Sequence, residues 1–326
     1  MVTTRRLGAT DLTVSSLGLG SNNFGTRLDY ATTEQVVNAA IDMGISLIDT
    51  AETYGDGQSE EYLGRLLKGR RDDIVLATKF GGRPDSVSDG SPAYIRSAIE
   101  GSLRRLQTDR IDLYYMHVPD PSVPIEETLG ALSELVDEGK VRHVGSCNLT
   151  GSQVAHAEWV SRTRDGGSGT RFVCTQNDYS LLDRSPELDL LDACRFYDMG
   201  FICYQPLGQG LLTGKYQANK PAPAGSRLVD LPTALKDADF DAIDALKRFA
   251  DARGISLIHL ALGYLLGQPG VSSVIVGATS ADQIRSNASV DWTPSDDDVA
   301  EIRSLLGPIK TVDWPLDEAL DIRGKF

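Results

Sequence analysis

The sequence predicts an α/β fold: one (β/α)8 barrel with an N-terminal hairpin plug and a long loop after strand seven. Three observations lead there. Short apolar runs rich in β-branched and aromatic residues alternate with longer amphipathic stretches, the rhythm of βα units around a parallel sheet. Eight such runs occur, the number that closes a barrel whose interior side chains fill. The chain has 326 residues, 41% of them hydrophobic, which suits a barrel of roughly 250 residues with decorations. Residues 1–326 are read as a single domain, without a low-complexity tract or a repeat beyond the βα rhythm itself.

The strands are expected at Ser16–Gly20, Leu47–Ala51, Ile74–Phe80, Ile111–His117, Val141–Cys147, Phe172–Asn177, Gly200–Leu207 and Ser273–Ala278. Most are almost continuously apolar, as strands are when helices cover one face and packed side chains fill the other. Helices are expected between them. Thr33–Met43 stops at Gly44 and Ser59–Leu67 stops before Gly69, because glycine readily takes the left-handed conformation that ends a helix. Pro92–Leu106 opens with proline at an early helical position, and Ile125–Glu138 follows Pro124 and ends before Gly139. Thr150–Arg162 and Glu187–Met199 follow. Gly208–Leu235 is a long Gly- and Pro-containing excursion, and loops of that length in compact barrels usually serve function. Asp237–Arg253 and Ser256–Leu266 then precede the last strand. Arg5–Val14, with Gly8 and Asp11, reads as a hairpin that plugs the N-terminal end of the barrel.

The formal net charge is −14. Nucleic acid or an anionic membrane as main partner would demand clustered Lys and Arg, so neither is expected, whereas an anionic cofactor needs only a few local cations. No apolar run approaches the ~18 residues of a membrane-spanning helix, and MVTTRRLGATDL lacks the apolar core of a signal peptide. Four cysteines (Cys147, Cys174, Cys194, Cys203) form no CxxC pair and imply no disulfide framework. The expectation is a soluble protein of a reducing compartment, the cytoplasm. Four histidines (His117, His143, His156, His259) show no metal-ligand spacing, so no metal site is expected.

In a parallel barrel chemistry gathers at the C-terminal strand ends. Asp49 ends the second strand in LIDTAETYG, with Tyr54 in the loop that follows; Lys79 lies in ATKF of the third strand; His117 closes the fourth in DLYYMHVPD. Each alone is a weak signal, because strand-end Asp and His are commonly structural. A lysine in an apolar strand is harder to dismiss, since an unpaired buried ammonium is costly. Together they suit carbonyl reduction. Hydride transfer to a carbonyl leaves negative charge on oxygen that a proton must neutralise, and tyrosine, with an ordinary pKa of about 10, is a sluggish acid near neutrality. An adjacent ammonium favours phenolate and lowers that pKa, and a carboxylate holds the ammonium charged and in place. Tyr54 is therefore expected as the acid, Lys79 as its tuner, Asp49 as the anchor of Lys79, and His117 as the group that orients the carbonyl or relays the proton.

DTAETYG, ATKF and DLYYMHVPD resemble the catalytic signatures of the aldo-keto reductase superfamily. The resemblance continues in order through VPIEETLGALSELVDEGKVRHVG, YQPLGQGLLTGKY and GVSSVIVGATSADQIRSN, covering essentially Arg6 to Asn287. The last three segments look most like the branch that includes bacterial reductases and potassium-channel beta subunits. The resemblance implies a TIM-barrel oxidoreductase binding NADPH without a Rossmann domain, and the chain has no strand-linked GxGxxG. It carries the family tetrad onto Asp49, Tyr54, Lys79 and His117 without substitution.

For the cofactor the resemblance implies Ser21, then Ser146, Cys147 and Asn148 after the fifth strand, Gln176 from the sixth and Tyr204, on which the nicotinamide stacks, from the seventh. Cys147 departs from the family's usual Ser. The excursion after strand seven would wrap the pyrophosphate through Leu207, Gly210, Leu211, Thr213, Gly214 and Lys215, with Arg227 as a second cation; glycine permits close backbone approach, and cations bind phosphate. Gly277 and Thr279 lead into a helix whose N-terminus is a natural phosphate seat; Thr279 would meet the 2'-phosphate, and Gln283 and Asn287 the adenine. Many relatives place Arg or Lys at position 279, yet Lys215 and Arg227 favour NADPH (NADP+) over NADH. The walls of a small-molecule carbonyl pocket are expected from Asn22, Phe24, Phe80, Arg83 and Val118, with Trp314 closing over it. The alternative is an NADPH-binding regulatory module with a partner protein and slow residual chemistry. Whether the protein is a monomer or a homo-oligomer stays open.

Overall fold

The computed structural model describes residues 2–82, 89–163 and 169–309. Eight parallel strands close into a barrel: β3 (Leu17–Gly20), β4 (Leu47–Asp49), β5 (Val75–Phe80), β6 (Ile111–Met116), β7 (Val141–Cys147), β8 (Phe172–Asp178), β9 (Gly200–Tyr204) and β10 (Val271–Gly277), with β10 pairing back onto β3. The helices α1 (Tyr30–Asp42), α2 (Gln58–Leu66), α3 (Pro92–Leu106), α4 (Ile125–Asp137), α5 (Gly151–Thr163) and α6 (Leu190–Phe196) fill the successive crossovers. After β9 come short α7 (Pro232–Lys236), then α8 (Phe240–Ala252) and α9 (Leu257–Gly267); α10 (Ala281–Ala288) and α11 (Asp296–Leu306) follow β10.

The expected (β/α)8 barrel is present, and the departures from the expected element bounds have local causes. The seventh barrel strand ends at Tyr204 rather than Leu207, because Gln205 takes a left-handed conformation (φ 53°) and Pro206 has no N–H for the ladder. The eighth begins two residues early, with a register shift between Val271 and Ser273. The helix expected over Glu187–Met199 shrinks to α6, preceded by a single turn at Ser185–Glu187 that contains Pro186. The helix expected from Asp237 starts at Phe240, where the Asp239 carboxylate caps the Ala242 N–H. Helix α11 was not expected, although its start carries a readable signal: Ser295 and Asp298 form a reciprocal capping box,.

Two apolar layers hold the barrel. The outer one lies between strands and helices. The inner one fills the lumen with Leu47, Ala77, Leu113, Tyr115, Cys147, Cys174, Ile202 and Ile275, and Leu7, Leu12 and Val14 of the N-terminal hairpin belong to it. That hairpin, β1 (Thr4–Arg6) against β2 (Thr13–Ser15), is the expected plug. Gly8 at its turn has φ 55° and sits where a Cβ would come within 2.6 Å of the Asp198 carbonyl oxygen, so only glycine fits. All four cysteines are free and buried. Among the described residues no group of His, Cys, Asp and Glu could hold a metal. No single helix there is long and apolar enough to cross a membrane; α8 and α9 pass only as a pair broken by 92°.

If the hairpin seals the lumen by packing, Leu7→Ala leaves a cavity in a fully buried layer. The expected result is destabilisation of about 2–5 kcal/mol, read as a lowered midpoint in denaturant unfolding; an unchanged midpoint would show that the plug contributes no core.

Candidate functional site

The tetrad assembles on three neighbouring strands. Asp49 is the last residue of β4, Lys79 the fifth of β5, and His117 follows β6; β4 pairs with β5 and β5 with β6. Tyr54 begins a tight turn after β4, in which Gly55 and Asp56 both have positive φ, so the phenol folds back over the strand ends. Lys79 is fully buried, and its Nζ donates to Asp49 Oδ1 at 2.5 Å, to the Thr50 carbonyl at 2.8 Å and to Tyr54 Oη at 3.3 Å. All three ammonium protons thus find acceptors, which is what makes a buried lysine tolerable. The second Asp49 oxygen, Oδ2, accepts from Gln176 Nε2 at 2.8 Å. The Tyr54 and His117 rings meet edge-on, 5.9 Å between centroids.

Charge states follow from burial and neighbours. Burial lowers the basicity of Lys79, whereas Asp49 raises it by charge and by hydrogen bond, and the ammonium stays charged. For Tyr54, burial is the largest influence and raises its pKa above the ordinary value, with Lys79 pulling down and Asp49 pushing up. This corrects the expectation of a lowered pKa: the ammonium offsets part of the desolvation without reversing it, so the phenol stays protonated in the free protein. His117 is pushed down to about 3, by burial first and by Lys79 second, with a backbone hydrogen bond at Gly81 working upward. Its imidazole is neutral throughout the physiological range. Glu52 Oε1 accepts from the Gly81 N–H at 2.9 Å and so fixes the loop beside that imidazole.

A cavity of about 660 Å³ opens over these residues. Asp49, Tyr54 and His117 line it, whereas Lys79 lies underneath, reached through Tyr54 and Asp49. Of the positions the resemblance assigned to the cofactor, Ser21, Cys147, Asn148, Gln176, Tyr204, Leu207, Gly210, Thr213, Lys215, Arg227, Gly277, Thr279, Gln283 and Asn287 line the same cavity. Ser146, Leu211 and Gly214 do not; Ser146 is fully buried and its hydroxyl has no hydrogen-bond partner among the described residues. Asn148 is already engaged: its Nδ2 donates to the His117 carbonyl at 2.9 Å and its Oδ1 accepts from the Tyr204 hydroxyl at 2.7 Å.

The expected substrate walls fare unevenly. Asn22 lines the cavity. Phe24, Phe80 and Val118 are instead buried outside its lining; Phe24 and Phe80 belong to the outer apolar layer, with Phe80 packed 5.1 Å from Tyr114. For Phe80 the reason is strand alternation: Lys79 faces the lumen, so its neighbour faces the helices. Arg83 and Trp314 lie outside the described residues. Arg27, to which no local sequence pattern points, lines the cavity with Arg227 and pairs with Asp230. Burial, and then the like charge of Arg27, lowers the pKa of Arg227. Gln209 Oε1 and Ser226 Oγ, also in the lining, are buried without a partner among the described residues.

Residues 16–306 match the Aldo/keto reductase family. The chain is 34% identical over 312 residues to the aldo-keto reductase YhdN of Bacillus subtilis (strain 168), covering 91% of each. It is 33% identical to a probable voltage-gated potassium channel subunit beta of Oryza sativa subsp. japonica, covering 87% of this chain and 89% of that one. The holo form of aldo-keto reductase AKR11C1 from Bacillus halodurans shares the fold at a TM-score of 0.80 and 30% identity, over 96% of this chain and 99% of that one. The chain therefore belongs to the aldo/keto reductase family, a family of oxidoreductases.

Because His117 binds its proton in the unfolded chain near pH 6.5 but in the folded one only near 3, the unfolded state gains a proton first as pH falls. Its contribution to stability is complete above pH 6.5 and is lost on descending towards 3, at up to about 1.4 kcal/mol per pH unit. In denaturant unfolding from pH 6 to 4, His117→Gln is expected to lose stability less steeply than the wild type. Equal slopes would show that the imidazole is not held neutral.

Proposed function

We propose that the protein reduces an aldehyde or ketone to an alcohol with NADPH, using Tyr54 as general acid. The observation that carries this reading is a half-buried, protonated tyrosine hydroxyl, 3.3 Å from a charged lysine, in a cavity whose lining also carries Lys215, Arg227 and Arg27. NADPH, when bound, supplies the hydride. Tyr54 donates its proton to the carbonyl oxygen as negative charge grows there. Lys79 stabilises the phenolate that results, so the proton moves without an isolated charge forming in a low-dielectric site. Asp49 keeps Lys79 charged and placed. The neutral imidazole of His117 orients the carbonyl by hydrogen bonding and adds no competing positive charge.

The cavity fits the cofactor in chemistry. Cations of an acidic protein of net charge −14 line it, the Gln209 and Ser226 atoms without partners among the described residues supply hydrogen-bonding capacity, and Tyr204 offers an aromatic face. Lys215, Arg227 and Arg27 would hold the phosphates, and Thr279, Gln283 and Asn287 the adenosine end. This cluster of cations favours NADPH over NADH although residue 279 is threonine. Cys147, Asn148 and Gln176 would meet the carboxamide end. The chain acts in this reading as one unit over residues 1–326, a free-standing cytoplasmic enzyme whose partner is a small carbonyl compound, not nucleic acid or membrane. Similarity to the rice channel-subunit protein supports a second reading, an NADPH-binding regulatory module with slow chemistry, which the turnover rate separates from the first.

Tyr54→Phe is expected to lower turnover by about 10²-fold or more and to spare NADPH binding followed by fluorescence. Arg227→Ala is expected to weaken that binding by about 10–100-fold and to leave the chemical step intact. Near-wild-type turnover in Tyr54→Phe would sink the assignment of the acid.

A further inference from the structure

Both carboxylate oxygens of Asp49 are committed, and the second commitment crosses the barrel. Gln176 lies on β8, opposite β4 in the closed order, and its side chain spans the lumen to donate from Nε2 to Asp49 Oδ2 at 2.8 Å, both groups buried. The orientation of the amide is chemically forced. Asp49 carries a short hydrogen bond from the Lys79 ammonium on Oδ1, so it is a carboxylate and only accepts; the amide nitrogen must face it. Gln176 also lines the cavity.

We infer that Gln176 is a positioning residue for proton transfer: by donating to Asp49 Oδ2 it fixes the carboxylate and partly neutralises it, and so limits how far Asp49 disfavours the Tyr54 phenolate. This rests on Tyr54 being the acid and goes beyond contact with a cofactor. The charged and titratable groups facing Tyr54 are Asp49 from β4, Lys79 from β5, His117 after β6, Cys147 from β7, Tyr204 from β9 and Arg227 from the loop after β9. Lys79 favours the phenolate, and Asp49 and Cys147 oppose it. Of the opposing pair, the Cys147 thiol is itself held protonated, by burial above all, which leaves Asp49 as the standing negative charge. A donor on its free oxygen damps that charge without adding another. Loss of the donor leaves Asp49 more strongly negative towards Tyr54, raising the phenol further. In the direction of alcohol oxidation Tyr54 must accept a proton as phenolate, so the change appears as a displaced pH profile.

The test is the pH dependence of kcat for oxidation of a simple alcohol by NADP+, in the wild type, in Gln176→Met, which keeps the length and removes the donor, and in Gln176→Asn, which keeps an amide too short to span the lumen. NADPH affinity is measured alongside by fluorescence. The rising limb is expected to move to higher pH by about half a unit to one unit in both variants, even at saturating cofactor. A limb that stays in place while NADPH affinity falls would overturn the inference and reduce Gln176 to a cofactor ligand. A variant that binds NADPH normally with an unmoved limb would overturn it as well. Tyr54→Phe in the same assay separates the two levels: if it remains active, the reading of the acid fails, whereas if it is inactive and the Gln176 variants are unshifted, only the role of Gln176 fails.

Discussion

The buried ion pair between Lys79 and Asp49 is the constraint around which the rest of the site is arranged. An ammonium with no solvent exposure is several kcal/mol out of place unless its charge is matched and its protons are bound. The barrel meets both demands with a carboxylate, a backbone carbonyl and a phenol. The requirement reaches into the fold. Asp49 and Lys79 come from adjacent strands, and a one-residue slip of either would turn its side chain into the helix layer, so the register of β4 against β5 is a condition on the ion pair.

From that pair the electrostatics of the cavity floor follow. The same burial that demands a partner for Lys79 raises Tyr54 and suppresses protonation of His117. The floor therefore presents a protonated phenol and a neutral imidazole above a fixed positive charge. Such an arrangement is pre-organised to meet negative charge developing on a bound oxygen, with no reorganisation required when it appears. The lining of the same cavity in this acidic chain also carries the cations Lys215, Arg227 and Arg27.

How much of this was legible in the sequence depended on whether position along a strand decided it. Asp49, Lys79 and His117 each fall at or beside a strand end that the apolar periodicity marks, so the fold and the nearness of these three could be read before any distance was known. Phe80 follows Lys79 in sequence but does not line the cavity, because alternation along the strand sends neighbours to opposite faces; Val118, in the loop after β6, is buried outside the lining. Arg27 escaped notice for a different reason. Its place at the cavity depends on the long loop after β9 folding back to bring Arg227 and Asp230 beside it, a contact across about 200 residues that no local pattern encodes. The sign of the shift at Tyr54 was also beyond the sequence: the types of its neighbours are readable, but the depth of its burial, which outweighs Lys79, belongs to the assembled barrel.

Transfer of label tests the central claim most directly. NADPH carrying deuterium at the reactive carbon of the nicotinamide would be incubated with the purified protein and a panel of aldehydes and ketones, and the products examined by mass spectrometry. Deuterium on the former carbonyl carbon of at least one alcohol product, with a matching loss of NADPH, is the expected result. NADPH bound tightly, yet no label passed to any carbonyl across the panel, would contradict the reading of this barrel as a carbonyl reductase.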